Sequence, residues 1–220
     1  MMRARTAVLI SGRGSNMQAL IDAASAPDYP AEITLVLSNE PEASGLSRAA
    51  AAGVRTAVID HRKFPKGADG KHAFEAALQR ALDDARIEIV CLAWFMRLLS
   101  PAFASAWRGR LVNIHPSLLP AFKGLDVHEA MLKAGVKIAG CTVHYVSAEM
   151  DAGPIIGQAA VPVLPGDTAQ TLAARILAEE HRLYPACLRL VAEGGAPIGA
   201  DGVVRLNADL RGALLNPPPR

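Results

Sequence analysis

Residues 8–20 read VLISGRGSNMQAL. An apolar run, Val8 to Ile10, breaks into Gly12-Arg13-Gly14-Ser15-Asn16. Met17, Leu20, Ile21 and Ala24 then recur at i, i+3, i+4 and i+7, the spacing of one helix face. The segment is therefore a strand, a glycine turn and a helix. Glycines let the backbone approach a ligand closely, and the free N–H groups at a helix start favour an anion. Ser15 and Asn16 add side-chain donors. The spacing is neither a dinucleotide fingerprint, which needs a third glycine, nor a P-loop, which needs Gly-Lys-Ser/Thr. Two readings stand: a phosphate cradle on Gly14, Ser15 and Asn16, or an ordinary glycine turn with a Ser or Asn N-cap.

Strand-like runs recur on either side of helical stretches. Thr6 to Ile10, Ile33 to Leu37, Val54 to Ile59, Ile87 to Leu92 and Leu111 to Ile114 are almost continuously apolar, as in parallel strands buried on both faces. Phe74, Ala77, Leu78, Ala81 and Leu82 follow helical spacing. This alternation predicts an α/β fold with a Rossmann-like, doubly wound, mainly parallel sheet. After residue 135 the pattern changes. KIAGCTVHYVS and PIIGQAAVPV read as antiparallel strands around the turn AEMDAG, and a long helix follows from Thr168 to about Val191, bent at Pro185. GGAPIGADG and NPPPR read as turns, a short hairpin and a frayed end.

The 220 residues include 51% hydrophobic and 20% charged residues, enough for a substantial core. A net charge of +2 gives no ground for a nucleic-acid or membrane surface. Cys91, Cys141 and Cys187 are an odd, widely spaced set, which argues against a disulfide framework and for a reducing compartment. No signal-peptide pattern and no membrane-length run occurs, so a cytoplasmic protein is expected. His61, His72, His128 and His181 show no metal-binding spacing, and no metal is expected. No G-x-S-x-G elbow is present.

Three further stretches carry polar groups where chemistry is placed. In LVNIHPSLLP, residues 111–120, Asn113 and His115 point the same way from extended backbone, and Pro116 fixes the chain behind them. They can serve a developing oxyanion or tie the loop to the sheet. In CTVHYVSAEMDAGPII, Thr142 and His144 share a strand face, and Asp151 sits in a Gly-Pro turn, where aspartate is commonplace. Glu180 lies on an apolar stripe of the last helix with Ile176, Tyr184 and Cys187. A carboxylate there needs a cation, a backbone donor or a ligand, unless it reaches solvent at the stripe edge. Met96, Arg97, Leu98 and Leu99 follow a strand end and either wall an apolar pocket or belong to the core.

Taken in order, LISGRGSNMQAL, FMRLLSPAF, LVNIHPSLLPAFKG, GCTVHYV, DAGPII and EEHRLYP resemble the motifs of the folate-dependent glycinamide ribonucleotide transformylases, over roughly residues 7–190. The resemblance implies transfer of the formyl group of 10-formyltetrahydrofolate to the amine of glycinamide ribonucleotide, in de novo purine biosynthesis. It implies Asn113, His115 and Asp151 as the catalytic trio, and Gly14, Ser15, Asn16 and Glu180 as ribonucleotide ligands. Folate contacts would come from Lys71, Met96, Arg97, Leu98, Leu99 and Asn113, and from Ser147, Ala148, Glu149, Met150 and Asp151. Lys71 stands where the family often has arginine, and Trp94 where glycine is usual, adding bulk beside the expected pterin pocket.

On this reading residues 1–220 form one domain. Residues 1–110 hold the ribonucleotide phosphate, 111–195 the catalytic and folate half, and 196–220 a tail. Asn113 and a protonated His115 would stabilise the oxyanion, and Asp151 would accept the amine proton. The partners are small molecules; monomer and homodimer both stay open. A formyltetrahydrofolate hydrolase shares the trio but carries an extra N-terminal domain. A methionyl-tRNA formyltransferase would need a further C-terminal domain and a more basic surface. A non-catalytic phosphate-ligand sensor would bind ribonucleotide without turnover.

Overall fold

The computed structural model describes residues 3–206. Its strands are β1 (Ala4–Ile10), β2 (Ala31–Ser38), β3 (Arg55–Val58), β4 (Ile89–Leu92), β5 (Leu111–His115), β6 (Ile138–Tyr145) and β7 (Ile155–Pro162). They lie in one sheet in the order β3-β2-β1-β4-β5-β6-β7. The first five pair in parallel, and β6 and β7 join antiparallel. The doubly wound, mainly parallel sheet with antiparallel C-terminal strands is thus present. The helices are α1 (Ser15–Ala24), α2 (Ser44–Ala51), α3 (Ala68–Asp84), α4 (Pro101–Ala106), α5 (Val127–Lys133) and α6 (Ala169–Ala192).

Burial on both faces fixes the central strands. On one face Val8, Ile10 and Val36 pack with Met17 and Leu20 of α1 and with Tyr184 and Leu188 of α6. On the other, Leu9, Leu37 and Val90 pack with Phe74, Leu78 and Leu82 of α3 and with Phe103 and Trp107. A smaller cluster joins Val127 and Met131 of α5 to Cys141, Val161, Leu172 and Ile176.

The expectation of two buried faces fails at β3, where Arg55, Thr56 and Val58 are exposed. β3 is a sheet edge with β2 on one side only, and its short length and charge suit an edge.

α6 starts where the sequence placed it. Thr168 caps it, accepting from Thr171 N–H while the Thr171 hydroxyl takes Thr168 N–H. Pro185 lies inside the helix without ending it, and its carbonyl accepts from the Tyr29 hydroxyl at 2.7 Å. Ile198 and Val204 form an antiparallel bridge, so a hairpin exists in the tail. The NPPPR segment lies outside the described residues.

Cys91, Cys141 and Cys187 are free and buried, and burial pushes each thiol pKa up to about 12. Among the described residues no helix is long and apolar enough to cross a membrane.

Candidate active site

β5 runs into the site with Asn113 and His115 on one face. Antiparallel pairing sets His144 opposite Asn113 and Thr142 opposite His115. Two loops close over this face from opposite ends of β5. Residues 117–124 follow its C-terminus, and residues 146–154 start beside its N-terminus, where Val146 N–H donates to the Leu111 carbonyl at 2.9 Å. The loops meet at Asp151, whose Oδ2 accepts from Gly124 N–H at 2.9 Å. Lys123 and Glu149 pair across the same seam at 2.8 Å. Asp151 takes a left-handed φ of 51°, a conformation aspartate tolerates better than most residues.

The structure brings the three sequence-nominated residues together. Asp151 Oδ2 lies 3.4 Å from His115 Nδ1, and both side chains are largely buried. His115 Nε2 is 2.9 Å from the Phe122 carbonyl, which only an N–H can satisfy. Both ring nitrogens therefore face acceptors, the Phe122 carbonyl at Nε2 and the Asp151 carboxylate at Nδ1.

His144 was legible only as a strand-face histidine. Its Nδ1 lies 2.9 Å from the Tyr145 carbonyl, so Nδ1 carries the proton. Burial pushes the His144 pKa down, keeping the ring neutral and Nε2 bare. That nitrogen accepts from Asn113 Nδ2 at 3.2 Å. The amide is thereby oriented, with its second N–H left over.

The proline is only part of what holds the 116–122 loop still. Thr142 Oγ1 donates to the Ser117 carbonyl at 2.7 Å and accepts from Leu119 N–H at 3.0 Å. Gln158 Nε2 donates to the Leu119 carbonyl at 2.9 Å. The Tyr184 hydroxyl lies 3.0 Å from both the Leu92 and Val112 carbonyls, pinning β4 and β5 to α6. These residues position the site, and an apolar-stripe pattern gives no sign of it.

At the glycine turn Gly14 itself caps α1, at φ 69° and with no side-chain cap, so Ser15 and Asn16 are helical residues rather than the N-cap. The first-turn N–H groups are left without a capping side chain. A Cβ at Gly14 would lie 3.1 Å from both Gly45 Cα and Met17 Cε. Asn16 turns inward, and its Nδ2 donates to Glu180 Oε2 at 2.6 Å. The partner of Glu180 is therefore an amide, not a cation or a backbone donor. Asn16 Oδ1 is buried with no partner among the described residues.

Burial raises the Glu180 pKa, with the Asn16 amide opposing. A carboxyl whose folded pKa exceeds its unfolded value adds stability at low pH and loses it as pH rises through the folded pKa. Glu180→Gln removes that cost, and its amide can donate to Asn16 Oδ1. The variant is expected to be more stable than wild type at pH 7 by about 1 kcal/mol, with the gain shrinking toward pH 4. Thermal melts across this range check it.

The other residues nominated for folate differ in exposure. Met96, Arg97 and Leu98 are exposed and Leu99 is buried. Ser147 is half-buried, and Ala148, Glu149 and Met150 are exposed. Lys71 is half-buried on α3, one turn before Glu75, which accepts from Ser100 N–H at 2.6 Å and so anchors the end of the 96–100 segment. Trp94, which adds bulk beside the expected pterin pocket, has the edge of its indole near Gly12. An open cavity of about 300 Å³ runs between α4 and residues 145–148, lined by Ala104, Arg108, Tyr145, Ser147 and Pro154. None of the trio lines it. Among the described residues no three His, Cys, Asp or Glu side chains gather to hold a metal ion.

The formyl transferase family model matches residues 4–188. The chain is 48% identical over 202 residues to the trifunctional purine biosynthetic protein adenosine-3 of Gallus gallus, covering 92% of this chain but only 20% of that protein. It is 43% identical over 187 residues to the phosphoribosylglycinamide formyltransferase of Escherichia coli, covering 85% of this chain and 86% of that protein. Glycinamide ribonucleotide transformylase 1 from Symbiobacterium toebii superposes with a TM-score of 0.88 at 48% identity, covering 93% of this chain and 94% of that one.

Proposed function

The chain belongs to the formyl transferase family, and on that premise we propose that it transfers the formyl group of 10-formyltetrahydrofolate to the amine of glycinamide ribonucleotide. The observation that carries the reading is the Asn113–His115–Asp151 cluster, roofed by two loops, in a chain that also carries a strand–glycine–helix turn suited to phosphate.

The substrate amine attacks the formyl carbon, forming a C–N bond while the carbonyl oxygen takes negative charge. The second N–H of Asn113 meets that oxygen, its direction set by His144. His115 contributes positive charge beside the oxyanion, its ring held in place by the Phe122 carbonyl at Nε2. Asp151 holds the imidazolium and takes the amine proton, directly or through water. Collapse of the oxyanion breaks the bond to the folate nitrogen, which leaves with a proton. Gly14 to Asn16 hold the phosphate, Glu180 receives the sugar or the glycinamide end, and Met96 to Leu99 with Ser147 to Asp151 receive the folate. Both partners are small molecules, and the cytoplasm is the proposed setting.

The deciding assay measures formyl transfer to glycinamide ribonucleotide, with water-only deformylation as the control. Deformylation that ignores the ribonucleotide would identify a hydrolase instead. Ser15→Asp sets a carboxylate against the phosphate. It is expected to raise KM for the ribonucleotide at least tenfold while KM for the formyl donor stays within about twofold. Steady-state kinetics in both substrates checks it.

A further inference from the structure

Trp94 occupies a place that stability does not explain. It follows β4 in the left-handed region, at φ 62°, where a bulky side chain is disfavoured. Its side chain is nevertheless 62% exposed, whereas Trp107 is 3% exposed. An ordinary surface residue in that conformation would drift toward a relaxed φ. Here hydrogen bonds on both sides forbid it. Ala93 N–H donates to the Leu9 carbonyl at 2.9 Å, and the Trp94 carbonyl accepts from Ser11 N–H at 2.9 Å. Met96 N–H donates to Ser11 Oγ at 2.7 Å, and Ser11 Oγ in turn donates to Asn39 Oδ1. The strained residue is tied to the glycine turn itself.

The indole reaches the same turn. Its Cδ1 and Nε1 lie 3.7 and 4.0 Å from the point where a side chain on Gly12 would begin. The pyrrole edge thus borders the turn that leads into the N-terminus of α1, which no side chain caps. Indole Nε1–H is a donor only, and it has no partner among the described residues. Strain held in place by surrounding bonds, an exposed ring and an unused donor beside an anion-favouring helix start belong to a binding surface.

We infer that Trp94 is a wall of the ribonucleotide site, its ring packing on the bound sugar phosphate and its N–H donating to a phosphate oxygen. This rests on the proposed function and adds a specificity-determining residue on the ribonucleotide side rather than the folate side.

Two tryptophans, one buried and one at the site, make the test direct. Glycinamide ribonucleotide is titrated into the wild-type enzyme, with intrinsic fluorescence and calorimetry read together. Saturation is expected to change the emission, and Trp94→Phe, which keeps only Trp107, is expected to abolish that change. Trp94→Phe and Trp94→Gly should raise KM for the ribonucleotide about tenfold, with KM for the formyl donor unaltered. Trp94→Gly should also raise the melting temperature by roughly 2–4 °C, because glycine accepts the left-handed φ. A residue placed only for structure would show the reverse: lower melting and unchanged KM.

Calorimetric binding with flat fluorescence, or a KM change confined to the formyl donor, overturns the assignment of Trp94 alone. Absence of ribonucleotide binding to the wild type overturns the proposed function and this inference with it.

Discussion

Asp151→Asn is expected to lower kcat by about a hundredfold or more while leaving the fold intact. The amide keeps the size of the side chain and an oxygen for Gly124 N–H, now 2.9 Å from the carboxylate. It loses the negative charge 3.4 Å from His115 Nδ1 and the acceptor for the amine proton. Binding of the ribonucleotide should change little, so on that side the loss falls on kcat rather than KM. His115→Ala should cost a similar factor. Because the two act as a unit, the double variant should lose far less than the product of the single losses. Steady-state kinetics on the three variants, with circular dichroism for folding, checks this. Near-full turnover in both single variants would make the cluster structural and the mechanism wrong.

The second large effect comes from Gly153→Ala, which touches no reacting group. A Cβ there would lie 1.8 Å from the Tyr145 carbonyl oxygen and 3.3 Å from Ser147 N. Neither neighbour is a flexible side chain, so the backbone of the β6–β7 connection must shift. The Tyr145 N–H to Pro154 carbonyl bond, 2.9 Å long, ties the same two stretches of backbone together. Asp151 is two residues away, and a displacement of about 1 Å at a reacting group can cost on the order of a hundredfold in rate. The melting temperature should fall by roughly 2–12 °C, from about 1–3 kcal/mol of overpacking. KM for the ribonucleotide should hold, because Gly14 lies on another loop. Melting and kinetics measured together separate the two consequences. An unchanged kcat would mean that Asp151 is positioned independently of its loop.

The parallel core was legible because its strands are buried on both faces and read as continuous apolar runs. β3 broke the rule because an edge strand needs only one good face, and Val58 looks the same in sequence whether covered or bare. Asn113 and His115 stood out as polar residues on one strand face. Asp151 did not stand out by pattern, since aspartate before glycine and proline is ordinary turn chemistry; the family motifs nominated it. The structure supplied what spacing leaves out. His144 meets Asn113 only through antiparallel pairing across 31 residues. Asn16 meets Glu180 only through the packing of α1 on α6, 164 residues apart. The Tyr184 hydroxyl, hidden in an apolar stripe, bridges β4 and β5.

The three cysteines give the molecule a practical property. All are buried, and thiols held near a pKa of about 12 expose almost no thiolate to a reagent at neutral pH. The native chain is therefore silent toward thiol-directed dyes and spin labels, without removal of any cysteine from its core. A single cysteine introduced on the Lys123–Glu149 seam would stand alone as a labelling handle, placed where the two roof loops meet.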